Sequence, residues 1–256
     1  MASSQLNVLS GPQWPGIQCF STLRSGGYSQ GPWRGLNLGQ HCEDNAHHVA
    51  LNRALLSAQL PSQPHWLQQV HGTELYQATQ PLDLALSWEQ SPVADAAWTR
   101  CPNAVLAILS ADCLPVVLSD QHAQILGVAH AGWRGLASGV LARLFKTMQS
   151  QLSNASAWQA WIGPAISQKH FEVGPEVYEV FIQREPTLDR HFVFNTSRQK
   201  HFADLAAIAG QLLRQLHPTM QVHFSQACTY SQPHDFYSYR RHTPTGRLAT
   251  LAWLKS

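Results

Sequence analysis

The chain has 256 residues, 44% of them hydrophobic, enough to cover the core of one large domain. Charged residues amount to only 12%, against roughly 25% in an average soluble protein, and the formal charge of +2 comes without any run of Lys or Arg. That excludes the basic stripe with which nucleic-acid binders track phosphates, so no nucleic-acid partner is expected.

At the N-terminus, residues 1–10 lack a basic segment followed by a long apolar core, so no signal peptide or export is expected. Residues 17–21 read as a short strand. A loop over 24–39 follows, whose five glycines a regular element would not tolerate. Its Trp33, Leu36 and Leu38 argue that it is ordered. A helix is expected over 44–58, capped by Asp44, with Val49, Arg53 and Leu56 at three- and four-residue steps and Pro61 and Pro64 beyond its end. Segments 65–70, 104–109, 114–118 and 124–130 are short, apolar or alternating, and bounded by turn residues; they predict the strands of a central sheet. The most apolar stretch, 104–118, is broken by Asp112 and Pro115 well short of the ~20 residues that span a bilayer, so no membrane partner is expected.

After His130 the period changes. Leu136, Val140, Leu141, Leu144, Phe145 and Met148 share one face of a helix starting at Gly135, and Phe202, Leu205, Ile208, Leu212 and Leu216 predict a second helix over 202–216, stopped by Pro218. The polar segment 184–190, with Pro186, is the weakest point of the chain but no domain cut is placed there. Residues 247–254 form the final strand. Because several strands follow one another directly, the expected fold is α+β: a single domain over 1–256 with a mixed central sheet or sheets flanked by helices. The five cysteines, Cys19, Cys42, Cys101, Cys113 and Cys228, are odd in number and show no CxxC pair, which fits a reducing compartment, the cytoplasm, better than a disulfide framework.

Three segments share one design, an apolar strand running into a potential metal ligand beside small residues: Gln68-Gln-Val-His-Gly72, Ser110-Ala-Asp-Cys-Leu-Pro115 and Val128-Ala-His-Ala-Gly-Trp-Arg-Gly135. Imidazole and thiolate are the side chains zinc prefers, and three protein ligands, His71, Cys113 and His130, leave a fourth position open for water or substrate. They lie too far apart along the chain for a zinc finger. Packed or hydrogen-bonded residues at strand ends are the bland alternative.

Phe20-Ser-Thr-Leu-Arg24, Gly35-Leu-Asn-Leu-Gly39, Gln69-Val-His-Gly72, Ser110-Ala-Asp-Cys-Leu-Pro-Val116, His130-Ala-Gly-Trp-Arg-Gly135, Trp161-Ile-Gly-Pro-Ala165, Phe171-Glu-Val-Gly174 and Phe236-Tyr-Ser-Tyr-Arg-Arg241 stand in an order that resembles the YfiH family nearly end to end. The family has been described as a laccase-domain polyphenol oxidase, as a purine nucleoside phosphorylase with adenosine deaminase activity, and as a peptidoglycan-precursor editing factor. The resemblance implies that His71, Cys113 and His130 are its zinc ligands.

Asp112 beside Cys113 is a candidate general base. If the segment is extended, however, neighbouring side chains point to opposite faces, and a hydrogen-bonding role is expected first. Asp95 is a loop carboxylate to which the resemblance lends a substrate or proton-transfer role. Arg24 and Asn37, from the Gly-rich loop, and Arg134, at a predicted helix start, are candidates to hold phosphate. Tyr237 and Arg241 combine an aromatic face with a guanidinium, able to stack a purine and bind a charged group, or to form a packed loop. His41, Cys42, His47 and His48 are expected to be a polar helix start with no metal. The reading this supports is a zinc enzyme, with copper as a possible substitute metal, acting on purine nucleosides such as adenosine, inosine or methylthioadenosine, by phosphorolysis with phosphate and by deamination. Oligomeric state is left open. Three alternatives stand beside it: a cysteine-type amidase with Cys113 as nucleophile and His130 as base, a copper polyphenol oxidase, for which the chain lacks the His-x-His pairs of a true laccase, and a structural zinc protein, which would need a fourth protein ligand.

Overall fold

The computed structural model describes residues 6–152 and 157–256; the first five residues of the segment read as carrying no signal lie outside these. In chain order the elements are β1 (Val8–Ser10), β2 (Ile17–Thr22), α1 (Ala46–Ser57), β3 (Leu75–Ala78), β4 (Ala96–Thr99), β5 (Leu106–Ser110), β6 (Leu114–Asp120), β7 (Leu126–Ala131), α2 (Trp133–Ser138) and α3 (Val140–Ser150). They continue with β8 (Trp158–Ile162), β9 (Glu172–Val173), α4 (Pro175–Arg184), β10 (Phe192–Asn195), β11 (Lys200–Ala203), α5 (Leu205–Leu216), β12 (Gln221–Phe224) and β13 (Leu248–Leu254). The architecture is mixed α+β, as expected, and no helix among the described residues is long and apolar enough to cross a membrane.

Strands β5, β6 and β7 are buried at every residue because they are covered on both faces. A six-stranded mixed sheet runs β12-β8-β6-β7-β4-β3, and a four-stranded antiparallel sheet, β1-β2-β13-β5, packs on one side of it. Alternation divides the side chains between two cores. Ala97, Val117, Leu126, Val128 and Trp161 of the larger sheet meet Ile17, Cys19, Leu106, Ile108, Ala252 and Leu254 of the smaller. The opposite face, with Val116, Leu118, Ala129, Ala131, Ala160 and Ile162, is covered by α2–α5 through Leu136, Leu144, Phe145, Phe181 and Ile208. Beyond the smaller sheet, Leu36 and Leu38 of the Gly-rich loop, Leu56 of α1 and Trp66 close a further core on Phe20, Leu109 and Leu251. Each fully buried side chain of this kind contributes about 1.5–3 kcal/mol.

Several sequence expectations are corrected. The strands expected at 104–109 and 114–118 do not share a sheet: the first belongs to the smaller sheet and its successor to the larger. Residues 65–70 are extended but form only single bridges, His65 with Leu106 and Gln68 with Val93, because Pro64 and the turn at His71, whose φ is +61°, leave no room for a ladder. The helix expected from Gly135 starts at Trp133 and breaks at Gly139, whose φ of +94° reorients the chain into α3. Residues 202 and 203 of the second predicted helix lie in β11, and Asp204 caps α5 by accepting from the Ala207 N–H. Asn45, not Asp44, caps α1, accepting from the backbone of His47 and His48.

A candidate metal centre between two sheets

The site lies where the chain crosses between the sheets. β5 and β6 belong to different layers, and the turn joining them carries Asp112 and Cys113. His130 stands in β7, whose register sets it across from Pro115 on one side and one position beyond the Ala96–Ala129 pair on the other, so Asp95 faces it at the start of β4. His71 comes from the turn after the extended 65–70 segment. Gln69 clamps that segment to the smaller sheet: its amide donates to the Leu109 carbonyl and accepts from the Leu109 N–H, both at 2.8 Å.

These placements bring one nitrogen of His71, the Cys113 sulfur and one nitrogen of His130 within 4.8 Å of one another, the one metal-ligating cluster among the described residues. The Cys113 Sγ lies 3.8 Å from His71 Nε2. That is near the ~3.6 Å edge of a tetrahedron with metal–sulfur about 2.3 Å and metal–nitrogen about 2.0–2.1 Å. His130 is buried, Cys113 partly exposed and His71 exposed, so the cluster opens to solvent on the His71 side. The donor set therefore fits a metal ion with an accessible fourth position.

Asp95 organises the cluster. Its carboxylate is fully buried and accepts four hydrogen bonds: Oδ1 from His130 Nδ1 at 2.8 Å and the His71 N–H at 2.9 Å, Oδ2 from the N–H groups of Val70 at 3.1 Å and Gly72 at 2.7 Å. The bond to His130 Nδ1 fixes the ring so that Nε2 is the ligating atom, the usual carboxylate–histidine–metal arrangement. The three backbone bonds hold the His71 turn in its left-handed conformation. Asp95 is thus no exposed loop carboxylate, and its partners occupy it as a positioning group for two of the three ligands.

Burial alone would push the Cys113 thiol up, but the charge and hydrogen bond of His130, with His71, pull it down to about 6. Burial would likewise lower His130, yet the Cys113 thiolate and the Asp95 carboxylate raise it to about 9. Desolvation opposes ionisation of Asp95, and the bonds from His130, Gly72 and Val70 outweigh it, holding the group below its ordinary range. The two shifts favour a thiolate beside an imidazolium, and a metal ion held there would take the place of the His130 proton.

Gly132 shapes the site. A β-carbon there would stand 2.9 Å from His71 Cδ2 and 3.0 Å from Cys113 Sγ, and one at Gly135 would stand 3.0 Å from the Gly72 carbonyl. Gly132→Ala is therefore expected to displace two ligands and weaken metal retention by about tenfold or more. The readout is competition with a chromogenic chelator, with thermal stability of the metal-free protein changing little; unchanged retention would count against this packing argument.

Other residues singled out from sequence are placed elsewhere or engaged. Asp112 is not extended: its φ is +92°. Its carboxylate accepts from Thr229 Oγ1 at 2.6 Å, Ser238 Oγ at 3.0 Å and the Arg240 N–H at 2.7 Å, so it ties the Cys113 turn to residues 229–240 and is not free to act as a base. Asn37 is fully buried, donating to Asp44 and accepting from the N–H groups of Gly39 and Arg247. Tyr237 is fully buried with its hydroxyl donating to the Trp33 and Arg34 carbonyls, and the Arg241 guanidinium donates to the carbonyls of Thr229, Tyr230 and Phe236. Neither is presented to a purine. Arg24 donates to the Pro233 and Arg34 carbonyls over the Tyr237 ring. It lines, with Arg34 and His234, a cavity of about 960 Å³ that includes none of His71, Cys113 and His130. Arg134 is exposed and stacks on Trp133 at the start of α2. His47 and His48 lie at the α1 start, while the His41 ring lies tilted against Trp88 with centroids 4.6 Å apart and Cys42 is buried. Sequence reasoning missed Gln69 and Gly132; only the glycine, within His130-Ala-Gly-Trp, left a signal, as a small residue beside a ligand.

Residues 18–255 match the family model described as multi-copper polyphenol oxidoreductase laccase. The chain is 40% identical over 249 residues to the purine nucleoside phosphorylase YfiH of Escherichia coli (strain K12), covering 95% of this chain and 97% of that one. It is 42% identical over 256 residues to the purine nucleoside phosphorylase of Xylella fastidiosa (strain 9a5c), with 96% of each covered. Among solved structures, the hypothetical protein YfiH of Bacillus licheniformis matches with a TM-score of 0.90 at 28% identity, over 98% of both chains. A Neisseria meningitidis protein matches with a TM-score of 0.86 at 33% identity, over 98% of this chain and 99% of that one.

Proposed function

Since the chain belongs to the YfiH family, whose family model carries the laccase description and whose curated relatives are named purine nucleoside phosphorylases, we propose that it is a zinc-dependent purine nucleoside phosphorylase. Adenosine, inosine and methylthioadenosine are its substrates for phosphorolysis, and adenosine alone is also deaminated. The observation that carries the metal part of this reading is the convergence of His71, Cys113 and His130, with Asp95 fixing two of them. These three residues would hold a zinc ion, which would supply Lewis-acid polarisation of the purine.

The chain's own residues set the conditions. Cys113 is held as thiolate at neutral pH, the form a metal needs. Asp95 holds the His130 Nδ1 proton, leaving Nε2 for the ion. His71, on the exposed side, leaves the approach open to a nucleoside.

The test incubates metal-analysed protein with adenosine, with and without inorganic phosphate, and follows adenine, inosine and hypoxanthine. Phosphate-dependent adenine and phosphate-independent inosine are expected. No turnover of either kind by zinc-loaded protein would sink the reading.

One observation favours a second reading. A thiol lowered to about 6 beside an imidazole raised to about 9 is also the resting state of a cysteine nucleophile and its base, as an amidase editing peptidoglycan precursors would use. The two readings compete for one sulfur, so iodoacetamide separates them: a zinc ligand is protected in the loaded protein, whereas a nucleophile stays reactive. Multi-copper chemistry is the weakest reading, because the described residues offer one ligand cluster. Copper in place of zinc at that cluster remains chemically easy.

A further inference from the structure

Arg53 projects from α1 with 7% of its surface exposed, and no carboxylate pairs with it among the described residues. Its Nε donates to the Leu38 carbonyl at 3.0 Å and its guanidinium lies 4.3 Å from the Trp66 ring centre, but the buried Nη2 has no partner. A buried cation without a counter-charge is costly, by several kcal/mol. The usual internal remedies are missing: burial pushes the neighbouring Cys42 thiol up, so it stays neutral. Asp44 is taken up by Ser29 Oγ, the Asn37 amide and the Asn45 N–H, and Glu43 is exposed.

Two further groups gather around the same turn. Arg247 and Cys42 both pack against Gly39, where a β-carbon would stand 2.8 Å from Arg247 Cγ and 2.5 Å from Cys42 Sγ. The His41 ring lies tilted against Trp88, whose carbonyl accepts from the Gln68 amide at 2.7 Å on the segment that ends in His71. Desolvation first, then the charges of Arg247 and Arg53, hold the His41 ring neutral.

We propose that Arg53, with Arg247 and His41, forms a subsite for a tetrahedral oxyanion, taken by inorganic phosphate as co-substrate. The identity of the anion rests on the phosphorolysis reading above. In that reaction an oxygen of hydrogen phosphate bonds to the anomeric carbon, the glycosidic C–N bond breaks with its electron pair on the purine nitrogen, and the phosphate proton ends on that nitrogen. A guanidinium with an open donor and a neutral imidazole suit that anion, since together they offer charge and fixed N–H groups.

The test titrates inorganic phosphate into metal-loaded protein at constant ionic strength, reading thermal unfolding and isothermal heats, and measures KM for phosphate and for nucleoside separately. Phosphate is expected to raise Tm beyond chloride. Arg53→Met is expected to weaken phosphate binding about tenfold or more, Arg247→Gln less, and both to raise KM for phosphate well above any change in KM for nucleoside. Wild-type protein no more stabilised by phosphate than by chloride would overturn the inference whatever reactions the protein catalyses. Arg53-dependent phosphate binding without phosphorolysis would uphold the subsite and refute the proposed function. If Arg53→Met does not fold, Arg247→Gln and His41→Ala decide, and unaltered phosphate affinity in both overturns the proposal. Cys113→Ala, tested for binding alone, separates the metal: retained phosphate binding supports the subsite, and its loss assigns the anion to the metal and overturns it.

Discussion

On the proposed reading, Cys113→Ala is expected to fold, to lose its metal and, with it, phosphorolysis and deamination together. The sulfur sits in a turn between two sheets and is partly exposed, so its removal leaves no large cavity in either core. What disappears is the one charged ligand. Changes in residues that merely orient ligands lower metal affinity about 10–100-fold, and removal of a ligand itself exceeds that, so dialysed variant should carry well under a tenth of the wild-type metal. Elemental analysis beside product chromatography checks both halves. A variant that kept full zinc but lost turnover would instead identify Cys113 as a nucleophile.

Asp95→Asn is expected to have the larger effect on stability. The two oxygens of Asp95 each accept two N–H bonds, Oδ1 from His130 and His71, Oδ2 from Val70 and Gly72. An amide in the same place must turn its NH₂ toward one of those donor pairs. Two buried donors then face a donor, at about 1–3 kcal/mol each, which for a chain of this size lowers Tm by roughly 5–20 °C. Metal affinity should fall about 10–100-fold as the His130 ring loses its anchor. Calorimetry of the metal-free proteins, followed by chelator competition, reads the two effects separately, and an unchanged Tm would remove Asp95 from the centre of the site.

The same carboxylate carries a pH dependence. Its folded-state pKa lies below the ordinary value, so its contribution is complete above the unfolded pKa of about 3.9 and is lost as pH falls through the lower folded value. Acid unfolding of the wild type should steepen below about pH 4, and the Asp95→Asn variant should lack that component.

The sequence by itself carried the elements whose residues meet their neighbours through local period: the two-sided apolar strands β5, β6 and β7, the helical faces of α3 and α5, and the three ligand-bearing segments, in which small residues flank a His or Cys. It also placed Asp95 among the candidates, through family resemblance and not through any local pattern. Only the tertiary structure decided what depends on register and on which layer a strand joins. The Ala96–Ala129 pairing sets Asp95 beside His130, and the β5–β6 crossing lifts Asp112 from the assumed extended path into a turn where Thr229 and Ser238 bind it. Asn37, Tyr237 and Arg241 looked like substrate groups because polar and aromatic residues in a loop resemble a binding surface. Folding turned them inward, since buried carbonyls and N–H groups need partners and long loops must find them in their own side chains. Local spacing can name the atoms fit to hold a metal; which atoms converge, and which are consumed in holding the chain around them, is settled by contacts between residues far apart in sequence.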